Sequence, residues 1–402
     1  MVDSTSRTGR RSGPDLVRPA RGTRPANRRA LIIAAAADLF YRNGYAAVGM
    51  SAVAEAVAIG PSALYRHFRG KQSLLATVVG GALDDFAATL DAAVPEAVAE
   101  TLAAAVLARR DIGVLWRREA GHLSTDDRAA FRKQARRIGA RLAEIIAVRR
   151  PELEPAAADL LAWSVLALAN SVSFQRLRLP LPEYAELLSE LISAVLDAPM
   201  SRPARYPVPS ESRAVGLATH PRHAAIIVEA TRLFAERGFA AVGVDEIGAA
   251  VGIAGPSVYH HFSGKADILR AAIARGDERL RTDLRRAIDE AADPRDGLVR
   301  LIASYSGFVF ENPTLIQTLV AEAGHLPETD RRRAKAAHRS YIAEWVRLLG
   351  SLHPEWDPTR TRIRALAAQS MLNDLALTPH LRAFPDIVAA SAAIGAELFV
   401  LR

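Results

Sequence analysis

Three residue types are absent or scarce in this sequence, and each scarcity narrows the chemistry of the protein. None of the 402 residues is a cysteine, which excludes disulfides, thiolate metal sites and cysteine nucleophiles. Aromatic residues make up 6% of the chain although hydrophobic residues make up 50%, so the apolar content is mainly Ala, Leu, Val and Ile. Only Lys71, Lys133, Lys265 and Lys335 supply lysine, and every other cationic side chain is an arginine. Because Ala, Leu and Arg are good helix formers, this composition favours a helical protein.

Signals for membranes and for catalysis are also missing from the sequence. The arginine-rich N-terminus is not followed by an apolar run, so no signal peptide is predicted. The most apolar long segment, 157–174, contains Asp159, Asn170 and several serines, which argues against a membrane span. The sequence has no alternating strand pattern, Gly-rich phosphate loop, nucleophile elbow or metal cluster. We therefore predict an all-α, cytoplasmic protein that is not an enzyme and holds no metal and no cofactor.

One stretch is present twice. Residues 58–71 read Ala-Ile-Gly-Pro-Ser-Ala-Leu-Tyr-Arg-His-Phe-Arg-Gly-Lys, and they align without a gap with 252–265, Gly-Ile-Ala-Gly-Pro-Ser-Val-Tyr-His-His-Phe-Ser-Gly-Lys. Each copy predicts a tight turn, a short helix and a basic residue that opens a further helix. Leu64 and Phe68 share one helical face, so Pro61, Ser62 and Tyr65 fall on the exposed side. A small exposed helix with hydroxyls and flanking cations suits insertion into a DNA major groove.

Two amphipathic helical segments precede each copy and complete a helix-turn-helix unit, called a head below. The first of these segments ends at Gly44 in one head and at Gly238 in the other, since glycine tolerates the left-handed C-terminal position. The three-helix unit resembles the DNA-binding domain of the TetR repressor family. The residues that carry this resemblance are Phe40, Gly44, Tyr65, His67, Phe68, Lys71, Phe234, Gly238, Gly252, Tyr259, His261, Phe262 and Lys265.

The resemblance implies a tandem of two TetR-like subunits. In that family a helical core follows each head and binds a small effector, and its last two long helices form a four-helix dimer interface. The apolar segment 157–174 followed by 184–196 suits that interface role. The expected organisation is a disordered basic arm (1–27), a first DNA-binding domain (28–76), a first regulatory core (77–198), a Pro-rich linker (199–220), a second DNA-binding domain (221–270) and a second regulatory core (271–402).

The resemblance also carries over a set of DNA-facing positions. Because arginine is the usual cation of this chain, the equivalent lysines of the two copies indicate a compact ammonium that faces a phosphate. Shared descent of the repeat is the alternative explanation for those lysines. The expected DNA contacts are Pro61, Ser62, Ala63, Tyr65, Arg66, His67 and Lys71 in the first head and Gly255, Pro256, Ser257, Tyr259, His260, His261 and Lys265 in the second.

The two heads are not equal. Arg66 of the first head is replaced by His260 in the second, and Arg69 is replaced by Ser263. The second head therefore carries less fixed positive charge at neutral pH, which predicts an asymmetric operator. The first head has Ala58 where the family has glycine. Either the alanine is left-handed, at a cost of about 1 kcal/mol, or the turn is reshaped, which would alter the base contacts of this head.

Polar and aromatic residues that interrupt apolar helical faces are the candidates for effector binding. Each of them alone is more often a satisfied core or interface residue than a ligand contact. The cores also share a local echo, Glu-Ala-Gly-His-Leu, at 119–123 and 322–326. The apolar surroundings indicate a hydrophobic or amphipathic small molecule. The candidates are Trp116, His122, Trp163, Asn170, Phe174, Gln317, His325, Gln369 and Asn373.

The leading hypothesis is a ligand-responsive transcriptional repressor that uses both heads of one chain as a pseudo-dimer on a near-palindromic operator in double-stranded DNA. The formal net charge of +8 is compatible with this polyanionic partner. The alternative is an interaction protein in which one head binds DNA and the other half serves for pairing or docking. The sequence leaves open whether the halves pair within a chain, as a monomer, or between chains, as a homodimer.

Overall fold

The described residues of this protein are helical throughout. A computed structural model describes residues 27–174, 179–200 and 221–401. Over those ranges the chain forms eighteen α helices, joined by short turns and no strand, so the all-α prediction is confirmed. The predicted basic arm lies outside the described residues except for residue 27, and so does the predicted linker except for residues 199 and 200.

The two halves correspond helix for helix. The helices of the first half are α1 (Arg28–Asn43), α2 (Met50–Ala56), α3 (Pro61–Tyr65), α4 (Lys71–Asp91), α5 (Val98–Ala108), α6 (Ile112–Arg118), α7 (Thr125–Arg149), α8 (Pro155–Phe174) and α9 (Leu181–Leu196). Those of the second half are α10 (Pro221–Arg237), α11 (Val244–Ala250), α12 (Gly255–Val258), α13 (Lys265–Asp289), α14 (Pro294–Glu311), α15 (Pro313–Glu322), α16 (Glu328–Leu352), α17 (Pro358–Ala376) and α18 (Ile387–Glu397). Helices α4 and α13 each run unbroken through the predicted limit between head and core, at 76/77 and 270/271.

The first head folds around side chains that its helical periodicity places inward. Phe40 from α1, Leu64 from α3 and Phe68 just after it are all buried, together with Leu74 at the start of α4. The first helix ends at Gly44, whose φ of 82° is left-handed, as the sequence predicts. The turn between α2 and α3 is therefore held against α1 and α4, which leaves the opposite side of α3 free.

Ala58 occupies a strained turn. Its φ is 55°, and its counterpart Gly252 has φ of 71°, so the alanine stands in the left-handed region that favours glycine. We expect Ala58→Gly to raise the free energy of unfolding by roughly 1 kcal/mol, and Gly252→Ala to lower it by a similar amount. Urea denaturation of both variants measures these two changes in the free energy of unfolding. A Cβ at Gly252 would meet nothing within 4 Å, so the second substitution reports backbone strain alone, and equal stabilities would contradict the account.

The two halves pair within one chain. Helix α8 packs along α17, and α9 contacts α18, so the interface is built from the helices that the sequence predicts for it. Polar contacts cross the same surface: Asn170 Nδ2 donates to Asp374 Oδ2 at 3.1 Å, and Arg364 pairs with Glu190. The pairing that the sequence leaves open is thus intramolecular in this structure.

Two described helices, α4 and α8, have the length and hydropathy of a membrane-crossing helix. In α8, 72% of the apolar window is buried inside the protein, because this helix packs against α7, α9 and α17. A buried core helix passes the same test of length and hydropathy, so the apolar character of α8 is accounted for by its packing.

Candidate nucleic-acid interface and effector cavity

The short helices α3 and α12 present an exposed face in each head. On α3 and the residue after it, Tyr65 is 54% exposed and Pro61, Ser62 and Arg66 are also exposed. On the second head Tyr259 is 58% exposed. The remaining exposed residues among the expected DNA contacts are His67, Pro256, His260 and His261.

Gly255 does not face outward, unlike what was expected of it as a DNA contact. Gly255 is buried, and a Cβ on it would lie 1.7 Å from Asp245 Oδ1. Glycine is needed there because α12 packs closely on α11, and not because the position meets DNA. Ala63 and Ser257 are half-buried, so the exposed face of each head is narrower than the sequence indicates.

The two lysines are engaged inside the protein. Lys71 Nζ donates to Ala46 O at 3.4 Å and lies 4.1 Å from the centre of the Tyr45 ring. Burial lowers the pKa of the Lys71 ammonium, and the charge of Glu119 opposes that shift. Lys265 Nζ donates to Phe239 O at 2.8 Å. Each ammonium thus closes the loop after the first helix of its head, and the phosphate contact expected of it stays a prediction.

The charge difference between the heads extends beyond the predicted positions. Arg29 lies over the Phe68 ring at 5.2 Å in the first head, whereas His223 stacks on Phe262 at 4.3 Å in the second. The backbone N–H of Ser263 donates to Asp267 at 3.0 Å and holds the pKa of that carboxyl below its usual range. The second head therefore has fewer fixed cations and an ionised carboxylate beside its short helix.

A cavity of about 90 Å³ lies in the first core against the interface. Trp116, Trp163 and Asn170, three of the expected effector residues, line it. Arg117 of the first half and Thr378 of the second half also line it. The other lining residues are Leu83, Phe86, Val106, Ile112, Ala135, Ile138, Leu166, Ala167 and Ala169.

Arg117 gives this apolar cavity one strong polar group. Its guanidinium pairs with Asp374 of the second half at 3.0 Å, while its buried Nε has no hydrogen-bond partner. Sequence reasoning missed Arg117, although it follows Trp116 on α6. Asp374 and Thr378 could not be found before the pairing of α8 with α17 was known, because they belong to the other half.

The corresponding region of the second core is filled. Tyr341 stands at the place on α16 that Ile138 has on α7, and it is buried. Gln369, expected to contact an effector, instead accepts through its Oε1 from His338 Nε2 at 2.7 Å. Asn373 accepts from the Tyr305 hydroxyl at 2.8 Å, and burial raises the pKa of that hydroxyl. Both candidates are satisfied core residues.

The other four effector candidates lie away from the cavity. His122 stacks on Tyr45 of the first head at 4.5 Å. His325 stacks on Phe239 of the second head at 4.8 Å. Gln317 donates to Ala235 O at 2.8 Å, and Phe174 is 42% exposed at the rim of an open surface groove. Three of these four connect a core to its head, and a ligand contact by any of the four stays a prediction.

Comparison with known proteins matches both heads. The family model described as bacterial regulatory proteins, tetR family, matches residues 32–78 and 226–272. The HTH-type transcriptional activator FasR of Mycolicibacterium smegmatis is 28% identical over 105 residues, which are 26% of this chain and 48% of that protein. The match thus spans about half the length of FasR. An HTH-type transcriptional regulator of Mycobacterium tuberculosis, Rv1255c, is 28% identical over 156 residues, 38% of this chain and 74% of that protein.

A solved TetR-family regulator from Bordetella parapertussis aligns with 44% of this chain and 93% of its own, with 19% identity and a TM-score of 0.42. Two exposed helix-turn-helix heads on a paired helical core define a DNA-binding transcriptional regulator. The matches to both heads place the chain in that class, with two helix-turn-helix units in one polypeptide. It belongs to the TetR family, as a tandem of two TetR-type subunits.

Proposed function

We propose that this protein is a ligand-responsive transcriptional repressor in which one chain supplies both heads to a near-palindromic operator. The observation that carries the proposal is the intramolecular pairing of α8 with α17, which joins the two halves that carry the exposed recognition helices. Members of the family usually obtain this arrangement from two identical subunits. Here the covalent link replaces the second subunit, and the protein acts in the cytoplasm as a pseudo-dimer.

In this proposal the exposed residues of α3 and α12 enter successive major grooves about 34–36 Å apart. Ser62 and the hydroxyls of Tyr65 and Tyr259 bond phosphates or base edges, and Arg66 neutralises a phosphate. The second head contributes less fixed charge, so the operator half-sites differ. FasR is named an activator, and in vitro transcription from the bound promoter decides the direction: reduced transcript supports repression, and increased transcript contradicts it.

The mass of the protein–DNA complex tests the pseudo-dimer. We expect native mass spectrometry with the DNA upstream of the gene to give one 43.3 kDa chain per site. Two chains per site would overturn the pseudo-dimer and put four heads on the operator. No complex at low salt would favour the interaction-protein hypothesis over a DNA-binding pseudo-dimer.

The cavity of the first core is the proposed effector site. Its walls are apolar, and the buried Arg117 Nε offers one donor, which suits a compact apolar molecule with a single acceptor such as a carboxylate. A cavity of 90 Å³ is smaller than one of about 150 Å³ that holds benzene. A short branched aliphatic acid therefore fits better than an aromatic one. Since the equivalent space of the second core is filled, each chain binds one effector.

Filling the cavity should remove the ligand response without affecting DNA binding. Ala135 lines the cavity from α7, and we expect Ala135→Leu to occupy the space that a ligand needs. Isobutyrate, as the probe, should raise the Tm of the wild-type chain by mass action and leave that of the variant unchanged. Ala130→Leu, an exposed position on the same helix, is the matched control. An equal Tm rise in all three proteins would place the site elsewhere.

A further inference from the structure

The Glu-Ala-Gly-His-Leu echo is the one motif shared by the otherwise divergent cores, and it forms the same contact in both halves. Residues 119–123 and 322–326, called the docking turns, each contain a short helical turn, Ala120–His122 and Ala323–His325. Each turn follows directly on the helix before it, α6 or α15. Leu123 and Leu326 are buried at 3% and 4% exposure, which anchors each turn beneath its head.

In the first half the docking turn forms a column of stacked groups with the head. His122 stacks on Tyr45 at 4.5 Å with an interplanar angle of 22°. Lys71 Nζ lies 4.1 Å from the centre of the same Tyr45 ring. Gln72 Nε2 donates to His122 O at 2.9 Å. Glu119 Oε2 is 3.8 Å from His122 Nε2 within the docking turn. The loop after α1 and the start of α4 are thus both held by one turn of the core.

The second half repeats the column with different surroundings. His325 stacks on Phe239 at 4.8 Å with an angle of 18°, and Lys265 Nζ lies 4.8 Å from the same ring. Glu322 Oε2 is 3.3 Å from His325 Nε2. Gln317 adds a bond from α15 to the carbonyl of Ala235 at the end of α10. The head supplies tyrosine in one column and phenylalanine in the other, so the stack requires a flat ring but no hydroxyl.

We propose that the docking turns fix the angle of each head on its core, with His122 and His325 as positioning residues for operator binding. The two imidazole rings are partly exposed to water, at 45% for His122 and 47% for His325. Each stacks on an aromatic ring of its head, and this stacking restricts rotation of the head about the axis of α4 or α13. Neither histidine touches DNA in this arrangement. Their effect is on the separation of the two recognition helices, and therefore on the operator spacing that the chain prefers. The inference rests on the proposed two-headed function.

Operator spacing is the property that tests the positioning role. An operator is first selected with the wild-type chain from random duplexes, and its two half-sites are then moved apart or together one base pair at a time. For His122→Ala and for His325→Ala we expect affinity at the preferred spacing to fall about three- to tenfold, with little change at neighbouring spacings. Affinity for a single half-site should stay the same. A ring that only stabilised the head would lower affinity at every spacing alike.

Conservative and surface variants keep the test decisive if the alanine variants lose their fold. His122→Phe retains a stacking ring without the Glu119 contact, and we expect it to keep the wild-type spacing preference. Gln72→Ala removes an exposed hydrogen bond to the turn and should relax the spacing in the same direction, by a smaller factor. Unchanged spacing in all these variants would overturn the positioning role. Failure of the wild-type chain to select any paired half-sites would instead overturn the proposed function.

Discussion

Replacing Glu190 with alanine is expected to lower the free energy of unfolding by about 1–3 kcal/mol, because a buried guanidinium loses its counter-ion while water already screens that carboxylate, which is 48% exposed. Arg364 of α17 is 3% exposed, and it pairs with Glu190 of α9 across the interface between the halves. Burial lowers the pKa of Arg364, and the charge of Glu190 opposes this shift. Leu398 O accepts one further bond from the guanidinium at 3.0 Å, which cannot replace a carboxylate.

Urea denaturation, followed by tryptophan fluorescence, measures this change. Glu186→Ala is the matched control, since Glu186 lies on the same helix, is 72% exposed and reaches only Arg360 at 3.6 Å. We expect the control to stay within about 0.5 kcal/mol of the wild type. If both variants lose the same small amount, the contact between Glu190 and Arg364 does not help to hold the halves together.

The heads were predictable because their signals are local and repeated. Phe40, Gly44, Leu64 and Phe68 follow a helical period with a glycine stop, and the second copy repeats the pattern without a gap. Such signals depend on neighbours within a few residues, which the sequence displays directly. The sequence left open whether Ala58 is left-handed or the turn is reshaped, and in the structure the alanine is left-handed.

The role of the lysines could not be derived in the same way. Scarcity of lysine correctly marked Lys71 and Lys265 as special, but the sequence does not reveal that each ammonium has a ring and a carbonyl of its own head within reach. A cation at a helix N-terminus faces outward or folds back depending on the loop before it. The contact with residues some 25 positions earlier decides this, and such contacts have no periodic signature.

The cavity of the first core was likewise only partly predictable from the sequence. Trp116, Trp163 and Asn170 were predicted, because polar or aromatic groups on apolar helices are visible in one half alone. Asp374 and Thr378 enter the site from the other half, and no pattern in either half specifies that pairing. In the second core, Gln369 and Asn373 have hydrogen-bond partners that are distant along the chain, and no local pattern displays such partners.

Fusion of the two subunits explains how such unequal halves can coexist. In a homodimer every substitution appears twice, so filling one cavity fills both, and weakening one head weakens both. In a single chain the second core can carry the larger Tyr341 at the position of Ile138, while the first core keeps its cavity. The second head can likewise carry His260 where the first carries Arg66. The pairing of α8 with α17 keeps both halves together at fixed stoichiometry. In the proposed function, this lets one half bind the effector while both heads bind DNA.

Silencing either head is expected to lower affinity for the full operator by about 10²–10⁴-fold, since the chain then loses its second, effectively intramolecular contact. The double variant Tyr65→Ala/Arg66→Ala silences the first head, and Tyr259→Ala/His260→Ala silences the second. All four side chains are exposed, so the fold should be retained. We expect the larger loss for the first head, because Arg66 carries a fixed charge that His260 lacks at neutral pH.

Fluorescence anisotropy at several salt concentrations separates the charge effect from the loss of a head. Losing Arg66 should reduce the slope of log affinity against log salt by about 1, and the Tyr259→Ala/His260→Ala variant, which removes no arginine, should change that slope by less. Val148→Ala, at an exposed position on α7, controls for surface truncation. Equal losses of affinity on silencing either head, with equal salt slopes, would contradict the predicted asymmetry between the two heads. A second head that can be silenced without any loss would leave one DNA-reading head and one docking half, since the two helix-turn-helix units would then no longer share one function.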